Sequence, residues 1–85
     1  MNQQDITNLI NNSSKLIGTR QVLKAIIDNS LQLVVIAKDT DLSIKDNIIN
    51  SCVTNSINYI ECLSRKELGV IANINVDCAC IGILK

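Results

Sequence analysis

Apolar residues recur along the chain with two alternating periods. Between Asp5 and Asn12, Ile6, Leu9 and Ile10 fall at i, i+3 and i+4, one stripe of a helix. Lys15-Leu16-Ile17 is short enough for a strand that Gly18 ends. Thr19 to Asn29 repeats the helical period with Val22, Leu23, Ala25, Ile26 and Ile27 on its apolar half. Gln32 to Ala37, apolar from Leu33 onward, reads as a strand covered on both faces. Asp41 to Ser56 returns to helix and sets Ile44, Ile48, Ile49, Cys52 and Val53 on one face. Asn58 to Cys62 reads as a strand, Ser64-Arg65-Lys66-Glu67 has the capping-box spacing that starts a helix, and Asp77 to Leu84 is a final apolar strand. Four helices alternating with four strands predict a layered α/β domain, with helices on both sides of one sheet and the segments 33–36 and 79–84 at its centre. No linker or internal repeat divides residues 1–85, so one domain is expected.

Composition narrows the chemistry. Of the 85 residues 47% are hydrophobic and 19% charged, which fits a folded core rather than a disordered tail. The longest apolar run, Leu33 to Ala37, falls far short of the roughly 20 residues that span a bilayer. No membrane segment is expected, and the absence of a signal-peptide pattern at the start predicts a cytoplasmic protein. The chain has no His, which excludes Ser-His-Asp and Cys-His catalysis and any His-containing zinc site within it. It has no Gly-rich phosphate loop, and its close carboxylates Asp39 and Asp41 sit where helix caps belong, so no enzyme and no cofactor are expected. With no Trp, no Phe and only Tyr59, it also lacks an aromatic platform for stacking several bases.

The cysteines are Cys52, Cys62, Cys78 and Cys80. An all-cysteine zinc site uses two close pairs, and only Cys78 and Cys80 are close. If that segment is a strand, both thiols face one way. Reduced core thiols are the favoured reading and no metal site is expected, although a thiol or metal module built on Cys78, Cys80 and Cys62 is an alternative.

The most informative polar set lies on the helix after Gly18. On a wheel of about 100° per residue, Lys24, Asp28 and Gln21 all fall within roughly 100° of Arg20, opposite the apolar half. The face thus offers a guanidinium, an ammonium and an amide beside a helix N-terminus, whose free N–H groups suit a phosphate. The same pattern also describes an ordinary solvated face. In an α/β sheet, however, the turns leading from strands into helices collect at one edge. Gly18-Thr19-Arg20, Lys38-Asp39-Thr40-Asp41 and Ser64-Arg65-Lys66, with Lys24, would gather five of the eight basic residues there. The net charge is zero, so nucleic-acid binding must come from this local patch and from shape.

Residues Ile17 to Ile26 resemble the G-x-N-E-x-x-K signature, followed by an aliphatic residue, of the L-seven-Ae/L-thirty-e ribosomal-protein family of kink-turn RNA binders. Leu33 to Asp41 is similar to the family's V-V-I-A-x-D-x-D segment, and Leu68-Gly69 followed by Asn73 to Val76 is similar to its L-G-x-x-x-G-I-x-V loop. The likeness runs over residues 5–84 and is nearest to short bacterial members. It implies a three-layer α-β-α sandwich around a mixed four-stranded sheet that binds structured RNA at a kink-turn, with the ribosome as one setting; separately, a monomer is expected. By the same resemblance, Gly18 lets backbone approach the RNA. Arg20, Gln21 and Lys24 face the sheared G·A pairs and adjoining backbone, and Ile74, Asn75 and Val76 cover an extruded nucleotide. With Thr19, Lys38, Arg65 and Lys66 at the junctions, these form the expected RNA-binding set.

Three positions depart from the family pattern. Arg20 stands at an Asn, which directs it to a phosphate or a guanine edge. Gln21 stands at a Glu and keeps an acceptor without the charge. Asn73 stands at a Gly, so that turn is expected to use the left-handed conformation that Asn tolerates. A protein-interaction module of the same fold without RNA binding is the remaining alternative.

Overall fold

The computed structural model describes residues 3–85. Eight elements follow one another: α1 (Gln3–Asn12), β1 (Lys15–Ile17), α2 (Thr19–Ile27), β2 (Leu31–Ile36), α3 (Leu42–Thr54), β3 (Tyr59–Glu61), α4 (Arg65–Ile71) and β4 (Cys80–Leu84). The strands form one mixed sheet in the order β1-β4-β2-β3. β4 runs antiparallel to both β1 and β2, and β2 runs parallel to β3. The two most apolar strands are therefore central, because each must be covered on both faces.

Alternation along those strands feeds two cores. Leu33, Val35, Ala37, Ile81 and Ile83 pack on one face with Ile6 and Ile10 of α1 and Leu68 of α4. Val34, Ile36 and Cys80 pack on the other with Val22 and Ile26 of α2 and Ile48 and Cys52 of α3. An irregular register between Leu31 and Leu33 places these two residues in opposite cores, although they are two apart. Gly82 lies where a Cβ would meet the side chains of Leu31 and Val22, so the missing side chain lets α2 approach the sheet.

Helix ends follow their local chemistry. Asp41 caps α3 by accepting from the Ser43 N–H at 3.0 Å. Ser64 and Glu67 form the full capping box that opens α4. α2, α3 and α4 each stop at a left-handed residue: Asn29 (φ 56°), Ser56 (φ 59°) and Asn73 (φ 60°). In each case the next N–H reaches back to the last turn: Ser30 to the Ala25 carbonyl, Ile57 to Cys52 and Ile74 to Gly69. Asn73 adopts the conformation expected of an Asn in a Gly position.

Two expectations are corrected. Cys78 and Cys80 do not share a face, because β4 begins only at Cys80; Cys78 enters one core and Cys80 the other. The stripes on α2 and α3 are also narrower than their sequence suggests. Ile48 and Cys52 are buried, but Val53 is 64% and Ile44 38% exposed, and Ile27 is 73% exposed. These three lie at the flanks of their stripes, and a helix resting on a flat sheet buries only its central arc.

Candidate nucleic-acid interface

The register gathers the strand ends. Ile17 of β1 pairs with Ile81, Ile36 of β2 pairs with Cys80, and Ile36 also pairs with Glu61 of β3. The C-terminal ends of β1, β2 and β3 and the start of β4 therefore form one edge, and the three expected junctions meet along it. Segment 78–80 holds them together. The Cys80 carbonyl accepts the Gly18 N–H at 3.3 Å, the Ala79 carbonyl accepts the Ala37 N–H at 2.9 Å and the Thr40 hydroxyl at 3.1 Å, and the Cys78 N–H donates to the Arg65 carbonyl at 3.0 Å. Lys38 N–H adds a bond to the Leu63 carbonyl at 2.9 Å. Thr40 is buried by this network.

At the start of α2 the chain leaves β1 through Gly18, at φ 102° and ψ 148°. No atom lies within 4 Å of where its Cβ would be, so the requirement for glycine is the backbone angle and not space. No side chain caps this helix, and its first turn contains no acid. Arg20, Gln21 and Lys24 are exposed. Among the described residues, none pairs with the guanidinium, carboxamide or ammonium of these three. Thr19 is turned inward instead, its hydroxyl 4.0 Å from the Cys80 sulfur.

The start of α4 is occupied by its own anions. The Ser64 hydroxyl accepts the Glu67 N–H at 3.1 Å, and the Glu67 carboxylate accepts the Ser64 N–H at 3.0 Å. That second bond is the largest influence holding the Glu67 carboxyl below the usual glutamate range. Asp39 reaches across from the β2–α3 turn and accepts the Arg65 N–H at 2.8 Å, with the Arg65 Nε at 3.8 Å from the same oxygen. Lys38 and Lys66 are exposed at this end of the edge.

The segment after α4 divides its side chains. Ile74 packs partly against the core of α1 and α4, whereas Asn75 and Val76 face solvent, Val76 being 69% exposed. Gly69 fixes this loop, since a Cβ there would collide with the Val76 carbonyl. The three junctions and the start of α2 thus lie along one edge, and this loop leads into it at segment 78–80. The Asp39–Arg65 link and the role of segment 78–80 carry no signal in the sequence pattern, because each joins residues far apart in the chain.

The thiols lie inward of this surface. Burial raises all four, and Cys80 is pushed up to about 12. The Cys78 sulfur donates to the Cys80 carbonyl at 3.1 Å. All four cysteines are unpaired, and among the described residues no three His, Cys, Asp or Glu side chains are grouped to hold a metal ion. Among the same residues no helix is long and apolar enough to cross a membrane.

Known proteins resemble this chain in sequence and in fold. The model of the Ribosomal protein L7Ae/L30e/S12e/Gadd45 family matches residues 4–85. A protein from Bacillus pumilus described as an RNA-binding protein is 30% identical over 71 residues, covering 84% of this chain and 87% of its own. A protein of the same description from Geobacillus thermodenitrificans is 29% identical over 70 residues, covering 82% and 85%. Among solved structures, a 15.5 kD RNA binding protein from Giardia lamblia covers 100% of this chain and 78% of its own, with a TM-score of 0.90 at 24% identity. A Bacillus halodurans protein of unknown function covers 84% and 71%, with a TM-score of 0.78 at 24% identity. The structural likenesses establish the fold as the α-β-α sandwich implied by the sequence resemblance. With the family match running over nearly its full length, this chain belongs to the Ribosomal protein L7Ae/L30e/S12e/Gadd45 family.

Proposed function

We propose that this chain binds structured RNA and stabilises a kink-turn, using the start of α2 and the loops beside it. The observation that carries the reading is the uncapped start of α2, where Arg20, Gln21 and Lys24 stand exposed and unpartnered among the described residues. Membership of the family, and relatives described as RNA-binding proteins, support it. Such membership makes the chain a binding protein and not an enzyme.

The physical task follows from the RNA. Duplex RNA hides its bases in a deep, narrow groove, so a protein of this size reads irregularities. A sharp bend crowds phosphates together. A protein that touches only the bent form shifts the population toward it. In this reading Arg20, Lys24, Lys38 and Lys66 offset phosphate repulsion, with the backbone of Gly18 and Thr19 close to the strand. Gln21 both donates and accepts, as a purine edge requires. Val76 covers an unstacked base, Asn75 flanks it, and Ile74 anchors the loop to the core. The protein acts as a monomer in the cytoplasm, on the ribosome or on another RNA that offers such a bend.

Zero net charge favours a second reading, a protein-interaction module on the same fold. Electrophoretic binding to a kink-turn, and to a control with its G·A pairs disrupted, separates the two at constant magnesium. Tighter binding to the intact kink-turn is expected. Equal affinity for both RNAs would remove kink-turn recognition, and binding to neither would favour the protein partner.

A further inference from the structure

Arg65 differs from the other exposed cations at the edge. Its own N–H and its Nε both address one carboxylate oxygen of Asp39, at 2.8 and 3.8 Å. The ion pair alone would mean little, because both side chains are about half exposed. The short bond to the backbone changes this. It uses an N–H in the first turn of α4 that has no partner inside the helix, and so fixes the carboxylate in place.

The turn that carries Asp39 is itself held. Lys38 N–H donates to the Leu63 carbonyl, Thr40 N–H to the Ala37 carbonyl at 3.2 Å, and the Thr40 hydroxyl to the Ala79 carbonyl. On the other side Leu63 sits at φ 63°, a left-handed conformation that a bulky L-residue disfavours and that brings the chain round into α4. Ser64 and Glu67 already serve that helix start. Asp39 therefore takes the N–H that the capping box leaves open, and in doing so fixes a negative charge beside Lys38, Arg65 and Lys66.

We propose that Asp39 bounds the RNA footprint: its carboxylate, fixed to the first turn of α4, holds the Arg65 guanidinium back from RNA phosphates and repels a strand that approaches this corner. The proposal rests on the RNA-binding reading and names Asp39 as a positioning residue for Arg65. The phosphate contacts are then concentrated toward α2.

The test is a double-mutant cycle of Asp39→Asn and Arg65→Ala, titrated against kink-turn RNA and against poly(U) over a range of salt concentrations. Asn keeps an acceptor for the Arg65 N–H and loses the charge. Thermal melting confirms that each variant is folded. Asp39→Asn is expected to tighten binding and to steepen the slope of log K against log salt by about 0.7–0.9, the gain of one phosphate contact. Arg65→Ala is expected to reverse that gain when combined with Asp39→Asn, and to change the slope less in the parent. Loss of stability alone would not steepen a salt slope. The proposal is overturned if Asp39→Asn leaves the slope unchanged or weakens binding, or if Arg65→Ala has the same effect in both backgrounds. A parent protein that prefers the kink-turn while Asp39→Asn changes nothing would sink this inference and leave the function standing. Tighter binding of Asp39→Asn to both RNAs, with no kink-turn preference in the parent, would do the reverse.

Discussion

α2 and α4 both begin at the same edge of the sheet, each entered from a strand, yet the two starts are chemically opposite. α2 begins at a glycine with no side-chain cap and turns outward three polar side chains that have no partner among the described residues. α4 begins at a serine inside a full capping box, and a carboxylate from a neighbouring turn serves the same first turn. A helix start has N–H groups that need acceptors. At α4 the protein supplies those acceptors itself and gains local stability. At α2 no side chain does so. Position in the fold therefore does not decide which start is available to a ligand; the capping residues do.

That contrast predicts binding losses at α2 and stability losses at α4. The largest expected effect is at Gln21. Gln21→Ala should weaken binding to a kink-turn by about 1–3 kcal/mol, the worth of one good base-edge contact, while barely changing binding to a plain duplex. Equal losses on both RNAs in a gel-shift titration would reject base reading by Gln21. Ser64→Ala should instead destabilise the fold by about 1 kcal/mol. Thermal melting should then show a fall of roughly 4–8 °C for a domain of this size. A melting point that stayed put, or a binding defect in the folded variant, would erase the contrast.

Smaller effects sharpen it. Lys24→Ala should flatten the slope of log K against log salt by about 0.7–0.9 without moving the melting point. An unchanged slope would take Lys24 out of the phosphate contacts. The smallest effect is at Glu67, whose carboxyl the Ser64 N–H holds low. A lowered value in the fold means that its contribution is present above the ordinary glutamate range and is lost as pH falls through the folded value. The melting temperatures of the parent and Glu67→Gln should therefore converge on acidification. A constant gap would assign the effect to geometry and not to charge.

The eight elements are legible because each carries its own period and punctuation. Ser64 and Glu67 announce a capping box within four residues, and Asn73 betrays a left-handed turn by standing where a glycine is expected. The central position of β2 and β4 follows from their apolar runs. What periodicity does not reach is orientation set by a neighbour. The exposure of Ile27 and Val53 depends on how flat a sheet lies beneath them, and the opposite facing of Cys78 and Cys80 depends on where β4 begins. At the candidate site, the outward face of Arg20, Gln21 and Lys24 is readable from helical spacing. The inward turn of Thr19 and the tether of Arg65 by Asp39, 26 residues away, are not, because both arise from the meeting of separate strand ends.

The most direct test is an amide chemical-shift titration of the folded protein with kink-turn RNA. The largest perturbations are expected on residues 18–24 and 74–76, while the outer face of α3 stays still. Perturbations concentrated on α3 and β3, with residues 18–24 unmoved, would contradict it.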